Sequence, residues 1–115
     1  MNREASLSAI LVRHGSVLHM HLSGELDLGT VAEFAASLPQ PRAGEILLAD
    51  LRDVDFVDSS GVHVLMSLDV AARREGWSLV LVRGTPEVQR VLGACRVEYR
   101  IRMVDHPGEI SPEID

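Results

Sequence analysis

"LLADLRDVDFVDSSGVHVLMSL", from Leu47 to Leu68, changes character twice within one stretch. Its first part belongs to "EILLADL", a short and nearly continuous apolar run of the kind found in strands covered on both faces inside a parallel sheet. Asp53, Asp55 and Asp58 follow closely, then Ser59, Ser60 and Gly61, and only then do apolar residues return. At about 100° per residue, Gly61, Val64, Leu65, Leu68, Ala71 and Ala72 share one helical face, which is expected to meet the sheet. The helix is expected from Ser59 to Glu75 and stops at Gly76. Val62, Met66 and Val70 fall on the side or far face with Ser59, whereas Ser60 turns towards Ala71. This projection leaves an apolar patch of Val62 and Met66 beside a presented hydroxyl.

Working outward, "SLSAILVR" and "VLHMHLSG" flank "HGS" and alternate in polarity, the pattern of a hairpin. "GELDLG" reads as a loop, and "TVAEFAASL" repeats apolar residues at helical intervals until Pro39 and Pro41 end it. Beyond the central helix, "SLVLVR" is a buried strand and "PEVQRVLGAC" a helix with Pro86 in its first turn. "EYRIRMV" is a last alternating strand. The order is ββαβαβαβ, an α/β fold with a mixed sheet of about five strands and helices packed against it. Residues 1–105 form the expected domain. Residues 106–115, within the proline- and acid-rich "DHPGEISPEID", are expected to be a flexible tail.

A chain of 115 residues with an apolar fraction of 46% and only two Phe, one Trp and one Tyr must build its core from Leu, Val, Ile and Ala. The formal charge of −6, with no basic cluster larger than Arg73-Arg74, argues against nucleic acid and against anionic lipid as partners. Cys95 is the single cysteine, so an intrachain disulfide is impossible, and its neighbours Leu92, Gly93 and Ala94 suggest a buried small hydrophobe. The N-terminal "MNREASLSAILVRHG" suits neither a signal peptide nor a membrane span, which points to the cytoplasm. His19 and His21 share one strand face, yet no Cys or His-x-x-x-His spacing accompanies them. They read as a half-exposed polar face, and neither metal nor cofactor is expected.

At the junction itself, Asp58 or Ser59 can act as the helix N-cap. A cap uses one side chain and leaves the second Ser, the small Gly61 and the remaining acids without a reason. A phosphoryl group on Ser59 would be supported by helix N–H groups and the dipole. Enzyme chemistry fits less well. "DVDFV" resembles the nucleophile motif of aspartyl phosphotransferases, but the chain has hardly room for the cap, lysine and second acidic loop such metal-assisted chemistry requires. Gly-x-Ser-x-Gly is absent, with Val57 where its first Gly would stand.

The same residues resemble the STAS domain of anti-sigma factor antagonists, in which an apolar strand and an acid-bearing loop lead into Asp-Ser-Ser/Thr-Gly at a helix start. "LSGELDLGTVAEF" resembles the family's first loop and "VLVRGTPEVQRVLGACRVE" its last helix region, so the likeness extends over almost the whole chain. The resemblance implies a non-enzymatic protein with Ser59 as phosphorylation site and Asp58 as the acid before it. Its implied partners are an anti-sigma factor that is itself a serine kinase with bound ATP, and a serine phosphatase of the metal-dependent type. Unphosphorylated, such a protein binds the kinase and frees a sigma factor. Gly24, Glu25 and Asp27 match the loop beside the serine and are assigned to partner contact together with Asp58, Ser59, Ser60, Gly61, Val62 and Met66. His63 departs from the family, which usually has a small residue there. The alternative is a STAS module that is never phosphorylated, such as an accessory subunit of a lipid-transport ATPase or a stress-signalling scaffold.

Overall fold

The computed structural model describes residues 6–114. Residues 1–5, the start of the N-terminal segment considered above, and residue 115 of the tail lie outside the described residues. Strands β1 (Leu7–His14) and β2 (Val17–Leu26) form an antiparallel hairpin, closed at Gly15, whose φ of 60° lies in the left-handed region that favours glycine. Helix α1 (Val31–Ala36), strand β3 (Ile46–Val57), helix α2 (Ser59–Glu75), strand β4 (Ser78–Val82), helix α3 (Pro86–Ala94) and strand β5 (Arg102–Val104) follow. The sheet order is β1-β2-β3-β4-β5, and every pairing after the hairpin is parallel.

That monotonic order determines where the helices lie. Right-handed crossovers that always step in the same direction put all three helices on one face of the sheet. Phe34 from α1, Leu65, Leu68 and Ala72 from α2, and Val88 and Leu92 from α3 accordingly share one core with Met20, Leu22, Leu47, Ala49, Leu79 and Leu81. Each fully buried Leu or Phe contributes about 1.5–3 kcal/mol relative to exposure.

The opposite sheet face carries Val17, Leu48, Val80, Val82 and Val104, which no helix covers. The C-terminal segment covers them. Pro107–Glu109 forms a 3₁₀ turn, Glu109 accepts from the backbone N–H groups of Asp105 and His106 at 2.8 and 2.9 Å, and Ile110 and Ile114 pack on the valines. The tail expected to be loose is therefore docked, because this one-sided arrangement leaves a sheet face in need of cover.

The other departures are local. β2 and β3 extend side by side through residues read as loops, with Ser23 opposite Asp53 and Leu26 opposite Val57, and two irregularities in register accommodate the pairing. The last strand is reduced to three residues, because a 3₁₀ turn at Val97–Tyr99 follows Arg96, whose φ is 57°. The same turn explains Cys95, which is exposed and not buried. Val88 and Leu92 place Cys95 on the buried stripe of a continuing helix, but α3 ends at Ala94 and the chain turns away. Helix α2 has the expected bounds, and Gly76 closes it with φ 83° and an N–H bond to the Ala72 carbonyl. No helix among the described residues is long and apolar enough to cross a membrane.

Candidate functional site

Asp58 organises the end of β3 and the start of α2. Its backbone is extended, with φ −119° and ψ −175°, which places it as N-cap. Oδ1 accepts from the N–H groups of Ser60 at 2.9 Å and Gly61 at 3.1 Å. Oδ2 accepts from the Leu28 N–H at 3.2 Å, across to the loop after β2. Capping therefore falls to Asp58 and not to Ser59. Ser59 is exposed, and its hydroxyl has no hydrogen-bond partner among the described residues. Ser60, one position on, is half-buried.

Gly61 has a packing reason. A Cβ built there would lie 2.3 Å from the Leu26 carbonyl oxygen and 2.9 Å from Val57 Cγ2. Only a residue without a side chain lets the first turn of α2 approach the end of β2 this closely. Gly24 is under a similar constraint: its φ is 104°, and a Cβ would meet the Ser6 carbonyl oxygen at 2.3 Å. The Glu25 N–H donates to that same carbonyl at 2.8 Å.

The loop from Leu26 to Val31 is held by its own hydrogen bonds. Asp27 Oδ1 accepts from the Gly29 N–H at 2.9 Å, and its carbonyl accepts from both Thr30 and Val31 at 3.0 Å. Thr30, with 0% exposure, donates its hydroxyl to the Glu25 carbonyl at 2.7 Å. Glu25 and Asp27 are both half-buried. This scaffold leaves Leu28 at the tip with 75% of its surface exposed, within reach of Asp58.

Leu28, Val31, Ser59, Ser60, His63 and Val64 line an open bowl of about 490 Å³. An apolar surface does lie beside the serines, but different residues form it. Val62 is 5% exposed and belongs to the core, and Met66 is half-buried against that core, so neither offers the free patch expected of them. The buried stripe of α2 consists of Gly61, Val62, Leu65, Leu68, Asp69 and Ala72. It is rotated from the expected face by roughly half of one 100° residue step, which draws Val62 inward and turns Val64 out. Leu28 and Val31 come from a loop and a short helix that a projection of α2 alone does not include. A Leu between Asp27 and Gly29 in a turn, with nothing nearby in sequence to bury it, is the signal that marks them.

Two histidine–aspartate pairs link β2 to β3, one nearly buried and one more exposed. His19 Nε2 lies 2.8 Å from Asp50 Oδ2 and His21 Nε2 lies 2.6 Å from Asp53 Oδ2, with the two rings stacked at 6.3 Å. Asp50 is 0% exposed and also accepts from Arg52, at 2.8 Å to Nη2. Burial opposes its ionisation, but the hydrogen bonds from Arg52 and His19 outweigh burial and hold its carboxyl below the usual range. No group of three or more His, Cys, Asp or Glu among the described residues is arranged to hold a metal ion.

Comparison with solved structures gives one likeness over 99% of this chain and 98% of the other, at a TM-score of 0.73 and 19% identity: an anti-sigma factor antagonist from Mycobacterium paratuberculosis. A second is the anti-sigma factor antagonist SpoIIAA in its unphosphorylated form, at TM-score 0.63 and 17% identity over 92% of this chain and 96% of that one. A third, at TM-score 0.54 and 11% identity over 100% and 98%, is an uncharacterised Shewanella loihica protein with a SpoIIAA-like fold. At such identities these likenesses describe the fold. No curated protein is similar enough in sequence to count as a match. Residues 8–110, from the hairpin through Asp58, Ser59 and Gly61 to the docked C-terminal segment, match the STAS domain, and the chain belongs to the STAS domain family.

Proposed function

We propose that the protein is an anti-sigma factor antagonist that acts in the cytoplasm as a binding module without catalytic residues. In its unphosphorylated state it docks on an anti-sigma factor serine kinase and so releases a sigma factor. That kinase, with its bound ATP, phosphorylates Ser59 and ends the interaction, and a metal-dependent serine phosphatase restores the competent form. The observation that carries this reading is the state of the Ser59 hydroxyl: exposed and unbonded on the rim of an apolar bowl, because Asp58 already caps the helix. The two antagonist structures with the same fold agree with it.

The bowl accounts for both halves of the switch. Leu28, Val31 and Val64 offer apolar area to a partner, and the half-buried Glu25 and Asp27 precede Leu28 in the chain. His63 stands four residues after Ser59, one helical turn on, and is exposed on the same concave surface. It is placed to touch the partner and to tune which kinase is accepted. A phosphate on Ser59 gains from the helix N-terminus and loses to the adjacent Asp58 carboxylate, so it leaves the fold intact. Closing a partner over it strips water from a dianion, at a cost of several kcal/mol unless a base meets it.

Incubation with the cognate kinase and ATP tests the assignment. Peptide mass spectrometry is expected to find one added phosphate, on Ser59, and none in Ser59→Ala. Modification of Ser60 in the wild-type chain would overturn the assignment.

A further inference from the structure

A second concavity lies at the other end of α2. Arg73 is fourteen residues beyond Ser59, about 20 Å along the helix at 1.5 Å per residue. There a cleft of about 420 Å³ opens between the last turns of α2 and the start of β4, within the size range of small-molecule sites. Strand β5 is short, and its pairing with β4 begins only at Val80 opposite Arg102, so the first residues of β4 are uncovered and Ser78 lines the cleft. Trp77, itself 5% exposed, supplies an apolar wall.

The charge in this cleft is opposite in sign to that of the chain. Arg73, Arg100 and Arg102 line it against a single carboxylate, Asp69, an excess of two guanidiniums in a protein of net charge −6. Asp69 is buried and matched by the Arg73 Nε at 2.9 Å, while Arg73 Nη2 also donates to the Arg100 carbonyl at 2.8 Å. Those bonds hold one wall in place. The Arg100 guanidinium approaches Asp69 only to 4.0 Å, and the Arg102 side chain makes no hydrogen bond or ion pair among the described residues. Glu75 accepts from the Trp77 indole at 3.1 Å and does not line the cleft. Convergent guanidiniums without matching acids repel one another, and each presents planar donors suited to phosphate or carboxylate oxygens.

We propose that this cleft binds a small multivalent oxyanion, a metabolite bearing phosphate or carboxylate groups, through Arg100 and Arg102, with Arg73 held in place by Asp69. The site is separate from Ser59 and does not depend on how Ser59 is used.

Titration calorimetry of the full chain with pyrophosphate and with citrate at low ionic strength tests this. Saturable one-to-one binding of pyrophosphate alone assigns phosphate chemistry, of citrate alone carboxylate chemistry, and of both the shared oxyanion. In each case Arg102→Gln is expected to weaken binding at least tenfold without lowering the melting temperature of the ligand-free chain, since the Arg102 side chain makes no internal bond among the described residues. Absence of saturable binding by either probe would overturn the proposal, as would wild-type affinity in both Arg102→Gln and Arg100→Gln.

Discussion

Asp58 and Leu28 are joined by a hydrogen bond from the Leu28 N–H to Asp58 Oδ2 at 3.2 Å, so one carboxylate both caps α2 and fixes the loop that carries the exposed leucine. Asp58→Ala removes both functions and is expected to cost about 1–2 kcal/mol. Asp58→Asn retains one carbonyl acceptor and is expected to cost less. Amide exchange at Leu28 is the specific readout: faster in Asp58→Ala than in the wild type, whereas unchanged protection would mean that the loop stands without Asp58.

Gly61→Ala provides a test by sign. In an ordinary helix interior this change stabilises by about 1 kcal/mol. Here the added methyl would sit 2.3 Å from the Leu26 carbonyl oxygen, so α2 or β2 has to shift. Chemical denaturation is expected to show a loss of roughly 1–3 kcal/mol.

The pH dependence of stability is expected to carry the signature of Asp50. Its carboxyl lies below the ordinary value of 3.8 in the folded chain, so its contribution is complete above that value and is lost as pH falls through the lower, folded-state value. Asp50→Asn keeps one carbonyl acceptor but removes the buried charge and the second oxygen to which Arg52 and His19 bond, and is expected to cost about 2–3 kcal/mol at pH 7. Its stability then falls less steeply than that of the wild type between pH 5 and the acid limit. Parallel urea-denaturation profiles of the two proteins across that range would contradict the role given to Asp50.

Much of this was legible in the residues because it depends on local pattern. The bounds of α2 follow from Asp-Ser-Ser-Gly at one end and Gly76 at the other, and the apolar runs mark the strands. What was not legible depends on tertiary placement. Val62 is core because the stripe of α2 is rotated against its neighbours, and Leu28 joins the bowl only because Asp58 reaches across thirty residues. Cys95 is exposed because Arg96 turns the chain, and the tail docks because all three helices lie on one sheet face.

The docked tail is itself testable. Truncation after Asp105 removes Ile110 and Ile114 from the face of Val17, Leu48 and Val80. Stability is expected to fall by roughly 2–4 kcal/mol, from apolar area returned to water. A melting temperature equal to that of the full chain would show that the segment adds nothing to the fold.

Titration calorimetry against the cognate kinase tests the central claim, that a partner closes over Ser59 and the bowl beside it. Leu28→Ala is expected to weaken binding by about 1–2 kcal/mol with little dependence on salt. Ser59→Asp is expected to weaken it at least tenfold, with a loss that shrinks as ionic strength rises, because it places an unpaired carboxylate under the interface. Wild-type affinity in Ser59→Asp, or tighter binding, would contradict the switch.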